Sequence, residues 1–142
     1  MAKVYFKLTK QDNSTYGGLT WGAGVTHKAK APGNTLCTDQ VIHLYAHPVL
    51  AVWFNPIHAR YSNPLLWVAT SPCIVNRDGL KLGAKEVTTI ETIKLPSFPL
   101  TTYVGLCILA AFPAIENGDV WQPWAINWLA NKDRTMEKAE AA

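Results

Sequence analysis

The segment Val41–Tyr61, VIHLYAHPVLAVWFNPIHARY, holds three of the chain's four histidines: His43, His47 and His58. Arg60 is its one charged residue, and most of the rest is apolar. Such a run belongs in a domain interior. There each imidazole nitrogen must find a partner or carry a desolvation cost of about 1–3 kcal/mol. Three imidazoles in one interior run therefore point to a site or to a buried polar network. Cys37, just upstream, adds a soft ligand or a nucleophile. His43 and His47 are four apart, a spacing compatible with zinc, but no second pair accompanies them and no metal is expected. Cys37 with a histidine could make a nucleophilic pair, since such a pair needs only proximity in space. No G-x-S-x-G elbow is present. Gly17-Gly18 and Gly22-Ala23-Gly24 match neither the P-loop nor the dinucleotide fingerprint. They read as turns and bulges, whose amides could at most form an anion nest.

The elements that would position these residues follow from patterning. Lys3–Thr9 alternates and reads as a strand. Gln11–Ser14 is a turn, and Thr15–Leu19 closes a hairpin or bulge. Thr20–His27 is a glycine-punctuated loop that enters a short strand, and Leu36–Tyr45 reads as extended. Pro48–Phe54 predicts a helix, with proline in its first turn, ended by Asn55-Pro56. Leu65–Thr70, Leu80–Leu82 and Val87–Leu95 read as strands, with a tight turn at Asn76–Gly79. After Pro96 the period changes. Thr101–Phe112 predicts a helix capped by Thr101 or Thr102. A tryptophan-bearing helix is expected after Asp119, and Arg134–Ala142 reads as a helical tail. The fold class is α+β: a mainly antiparallel sheet over residues 3–95, covered by C-terminal helices over 101–140, in one domain spanning 1–142. Trp53, Leu66, Trp67, Val68, Trp124 and Trp128 are the expected core.

Composition limits the function classes. At 142 residues the chain is long enough for a real core. Charged residues make up 16%, below the usual ~25%, and there are six tryptophans. That combination suits a ligand groove, a partner surface or a homo-oligomer interface. The net charge of +3 is too small to predict nucleic-acid binding. Residues 1–30 carry five lysines and one aspartate, read as solvated strand-face residues. Three dispersed cysteines give no disulfide framework. The start, MAKVYFKLTK, has no apolar signal region, and the longest apolar run, Tyr103–Ala114, is too short to span a bilayer. A soluble protein of a reducing compartment, with no membrane partner, is expected.

Two resemblances add to this. The strings TYGGLTWGAGVTH, LCTDQVIHLYAHPVLAVWFNPIHA and DGLKLGAKEVTTIETIKLP resemble a family of small proteins encoded by tailed bacteriophages. That resemblance implies a phage accessory protein in the host cytoplasm or on the virion. It implies binding to a host protein or a small nucleotide-like ligand, with counter-defence as one use and virion decoration as another. The order His27, Tyr45, then Glu86 or Glu91 resembles ADP-ribosyltransferase-like domains. It implies that His27 holds a ribose, Tyr45 stacks on nicotinamide and a glutamate polarises the ribose. Nicotinamide dinucleotide would be the cofactor only in that case; otherwise none is expected. On either reading His27, His43 and Tyr45 should converge on one cleft, with Glu86 or Glu91 near its rim.

Overall fold

The computed structural model describes residues 3–111, 121–135 and 137. The chain forms two compact units, Met1–Pro96 and Ser97–Ala142. The fold is α+β. Among the described residues of the first unit the order is β1 (Val4–Thr9), β2 (Thr26–Lys28), β3 (Ile42–Leu44), α1 (Pro48–Phe54), a π-helical turn (Asn55–Ala59), β4 (Leu65–Thr70), β5 (Ile74–Arg77), β6 (Leu82–Ala84) and β7 (Glu86–Ile93). The strands make two antiparallel sheets, a four-stranded one in the order β1-β4-β7-β2 and a three-stranded one in the order β3-β6-β5. Paired backbone hydrogen bonds between Phe6 and Tyr45, 2.9 and 2.8 Å, join the end of β3 to β1.

Strand alternation gives the larger sheet two buried faces. Tyr5 packs with Trp21, Ile42, Leu44, Ala69, Leu82, Ala84 and Val87, so one face meets the smaller sheet. Leu8 and Leu66 pack with Tyr45, Ala51 and Tyr61, so the other face meets α1 and its neighbours. Leu44, Leu66 and Val87 are fully enclosed, and each such burial stabilises by roughly 1.5–3 kcal/mol. Gly83 lets the chain before β3 pass close over β6: a Cβ there would lie 3.0 Å from side-chain atoms of Leu36 and Val41.

Helix α1 forms where expected. Pro48 stands in its first turn, and His47 caps it, its Nδ1 accepting the Val49 N–H at 3.2 Å. Asn55-Pro56 ends it as α-helix, with Asn55 as its C-cap. The Asn55 N–H takes the Val52 carbonyl, and the chain widens into a π-helical turn that stops at Arg60 in the left-handed region, φ 54°. Pro56 sits in the first turn of that segment, where a missing N–H is tolerated. The Asn55 side chain then clasps the returning chain: Nδ2 donates to the Tyr61 carbonyl at 2.9 Å, and Oδ1 accepts the Tyr61 N–H at 3.1 Å.

Other expectations need correction. Leu36–Gln40 is a series of turns, not extended chain, because Cys37 takes a left-handed φ of 63°. Ile74–Arg77 is a strand, and the tight turn begins after it, where Asp78 Oδ1 accepts the N–H groups of Leu80 and Lys81. The strand read at Leu80–Leu82 lies at Leu82–Ala84.

In the second unit α2 spans Leu100–Ala111 and α3 spans Trp121–Leu129. Helix α2 begins before Thr101 and Thr102, so neither caps it. Ile108, Ala125 and Trp128 form its core, with Trp121 and Trp124 half-buried beside them. Arg134 lies over the Trp128 ring at 4.4 Å and donates to the Trp128 carbonyl at 3.0 Å. Asp119 and most of the expected tail lie outside the described residues. Of the expected core, Leu66, Trp67 and Trp128 are buried, while Trp53, Val68 and Trp124 are half-buried.

Candidate functional site

Within the first unit a cavity of about 520 Å³ opens between the end of β1, the chain before and after β3, and the π-helical turn. His43 and Tyr45, two residues apart on an extended segment, both line it. Lys7, Lys28, Lys30 and Lys81 also line it, against a single acid, Asp39. Tyr16 and Tyr61 add aromatic surface, their rings 5.0 Å apart. The wall is therefore cationic and aromatic.

His43 is an acceptor here. Its Nε2 accepts the backbone N–H of Cys37 at 2.8 Å, so the neutral ring carries its proton on Nδ1. Burial, with Lys81 and Lys7 nearby, pushes its pKa down to about 4. Its carbonyl accepts from Lys7 Nζ at 3.3 Å. Lys7 is buried, lies 4.7 Å from the Trp21 ring, and burial lowers its pKa to about 8. Tyr45 shares a 3.3 Å hydrogen bond with His58 Nδ1, and burial pushes its hydroxyl up to about 12. His58 stacks on Phe54 at 5.1 Å and 17°, and burial also lowers its pKa. The π-helical turn is what carries His58 to Tyr45. Lys81, buried, donates from Nζ to Cys37 Sγ at 2.7 Å.

The five expected site residues do not converge. Antiparallel register puts His27 beside Val87, on the face that packs against the smaller sheet, where its ring meets Trp21 edge-on at 4.7 Å. Its Nε2 is 2.8 Å from the Thr20 carbonyl. Tyr45 pairs with Phe6 and packs with Leu8 and Leu66 on the opposite face. Glu86 pairs with Lys28 and forms a 3.2 Å ion pair with it, one contact away from the cavity wall. Glu91 is exposed and stands beside Val68. A bulge shifts the β4–β7 register between Val68 and Ala69, so Ile90 is extra and Glu91 lies on the face opposite His27. His43 and Tyr45 are thus together, and His27, Glu86 and Glu91 are not on the cavity wall. The three-residue arrangement that an ADP-ribosyltransferase-like site implies is not assembled.

Lys7, Lys81, Tyr16 and Tyr61 were missed by sequence reasoning. Lys7 had a signal: in VYFKLT it alternates with Tyr5 and Thr9, on the face where Tyr5 is core. Among the described residues no group of three or more His, Cys, Asp and Glu is placed to hold a metal ion. No described helix is long and apolar enough to cross a membrane.

Compared with models of protein families, with curated proteins and with solved structures, the chain matches none.

Proposed function

We propose that this chain is an accessory protein that binds a small anionic ligand carrying a planar ring, a nucleotide in chemical class, in the cavity beside β3. One observation carries the reading: four lysines and three tyrosines meet one carboxylate around a volume of about 520 Å³. Lys7 and Lys81 are buried cations, which cost free energy to keep and gain most from an anion brought to them. Tyr16, Tyr45 and Tyr61 offer faces on which a base can stack. His43 and His58, both held neutral near pH 7 by burial, supply hydrogen bonds without adding charge. The resemblance to phage-encoded proteins makes a host nucleotide the natural ligand and a host defence the natural setting.

Calorimetry of the full chain with nucleosides and with nucleoside mono-, di- and cyclic phosphates tests this. Phosphate-bearing ligands should release heat and bare nucleosides should not. Lys81→Met should weaken binding by roughly tenfold or more, the worth of a charged hydrogen bond. No heat from any of these at about millimolar ligand, a level at which even ~4 kcal/mol of binding registers, would overturn the reading and leave a protein partner in its place.

A further inference from the structure

Cys37 and Lys81 carry features that anion binding does not use. Of the three cysteines, only Cys37 stands on the cavity wall. Its backbone is fixed in the left-handed region at φ 63°, a conformation that non-glycine residues seldom keep without a structural reason. Its N–H is held by His43 Nε2 at 2.8 Å. Lys81 is buried to 9% exposure, and its own N–H is held by Asp78 Oδ1 at 2.7 Å. Both chains are thus anchored, and Nζ and Sγ meet at 2.7 Å. An N–H···O bond centres near ~2.9 Å, and sulfur is larger than oxygen, so an ordinary N–H···S bond would be longer than this contact. The separation suits two atoms that share one bent, bridging oxygen.

The geometry points to Cys37 and Lys81 as a peroxide-dependent cross-link site, in which one oxygen atom joins Nζ to Sγ. Hydrogen peroxide oxidises the Cys37 thiol to a sulfenic acid: the O–O bond breaks, an S–O bond forms and water leaves. Lys81 first gives a proton to water, and a second peroxide then oxidises the free amine to a hydroxylamine, again releasing water. The hydroxylamine oxygen then attacks the sulfenic sulfur and expels the sulfenic hydroxyl as a third water. In sum an amine, a thiol and two peroxides give N–O–S and three waters. Anchoring makes the last step effectively intramolecular, which favours it over attack by a thiol from solution. The linkage neutralises Lys81, so the oxidised cavity loses one cation. Thiol reductants open it by attack at sulfur, which breaks the S–O bond, returns the Cys37 thiol through a mixed disulfide and leaves Lys81 as the hydroxylamine.

The test treats the full chain with a small excess of hydrogen peroxide and follows intact mass and peptide maps. Cys73 and Cys107, both exposed, are internal controls. The expected product is heavier than the reduced chain by one oxygen less two hydrogens. It maps to the Cys37 and Lys81 peptides joined together, and dithiothreitol separates them, returning the Cys37 thiol and leaving the Lys81 peptide heavier by one oxygen. Lys81→Arg keeps a cation beside the sulfur, yet should lose the joined product entirely and let Cys37 proceed to sulfinic acid. Cys37→Ser should lose it too; far-UV circular dichroism checks that each variant folds, and if Cys37→Ser does not, Lys81→Arg decides alone. Oxidation of wild-type Cys37 only to sulfenic or sulfinic acid or to a disulfide, or oxidation of Cys73 and Cys107 ahead of it, would overturn the proposal. The readout needs no ligand, so its failure leaves nucleotide binding standing, and failure of nucleotide binding leaves the cross-link standing.

Discussion

Lys7 sits in the middle of a strand, 6% exposed, and among the described residues it makes no ion pair. A carbonyl and an indole face hold it instead. Burial without a counter-charge is a cost that the folded chain carries. Lys7→Met should therefore stabilise the chain at pH 7, by about 1 kcal/mol, while weakening nucleotide binding. The pH dependence has a definite sign. The folded amine titrates at about 8, below its ordinary 10.5, so the unfolded chain holds more protons between those values. Stability should rise with pH across that window, with the full cost present below it. Lys7→Met should remove that rise in urea titrations. His43 acts at the acid end. Its folded pKa of about 4 lies below its ordinary 6.5, so stability is complete above pH 6.5 and falls as pH drops toward 4. The loss between pH 7 and pH 4.5 should be on the order of 1–2 kcal/mol, less than full linkage because the ring is partly in water. His43→Asn should flatten it. At this scale the sequence was half legible. Of the three histidines in the apolar run, His43 and His58 do line the cavity, whereas His47 is exposed and caps α1 instead. Lys7 did not stand out, because a strand lysine is ordinarily solvated and its face is known only once the sheet is covered on both sides.

Elements with one dominant periodicity were readable. In β1, β4 and β7 the β-formers, and in α1 the proline after a capping residue, agree with the tertiary structure, so local preference and packing point the same way. Strand β5 was hidden because Asn76 and Arg77 read as turn residues, whereas sheet pairing with Gly83 and Leu82 holds them extended. The bulge was invisible for a related reason. VTTIETI is β-forming throughout, and its apolar residues Val87, Ile90 and Ile93 do not show which one is extra; only the β4 register makes Ile90 surplus. That single offset decides which face Glu91 takes, and it is why the expected glutamate is far from the expected histidine. The central strand also carries a stability prediction. Trp67 is 6% exposed, and its Nε1 donates to Thr9 Oγ1 at 3.2 Å across β1. Trp67→Ala should cost about 3–5 kcal/mol in denaturant titration. A Trp67→Phe variant should cost less, since it keeps most of the volume and loses chiefly the hydrogen bond.

For the molecule as a whole, the modest net charge of +3 conceals a local concentration. Four of its lysines face one cavity. Nucleotide affinity should fall as salt rises from about 0.05 to 0.5 M, since exposed Lys28 and Lys30 are screened over a Debye length of roughly 10 Å or less. The residual affinity at high salt should depend on buried Lys7 and Lys81, so Lys81→Met should flatten the curve less than Lys28→Ala does. The π-helical turn has a further consequence, which concerns chain length. Such a turn contains one residue more than an α-helix would use for the same span, and Ile57 in it is 69% exposed. Deleting Ile57 would shorten the segment by one residue and would turn His58 by about 100° around the axis, away from Tyr45. A chain one residue shorter here would be the same fold with its imidazole turned away, so a length difference of one in this segment marks whether a related sequence keeps this cavity.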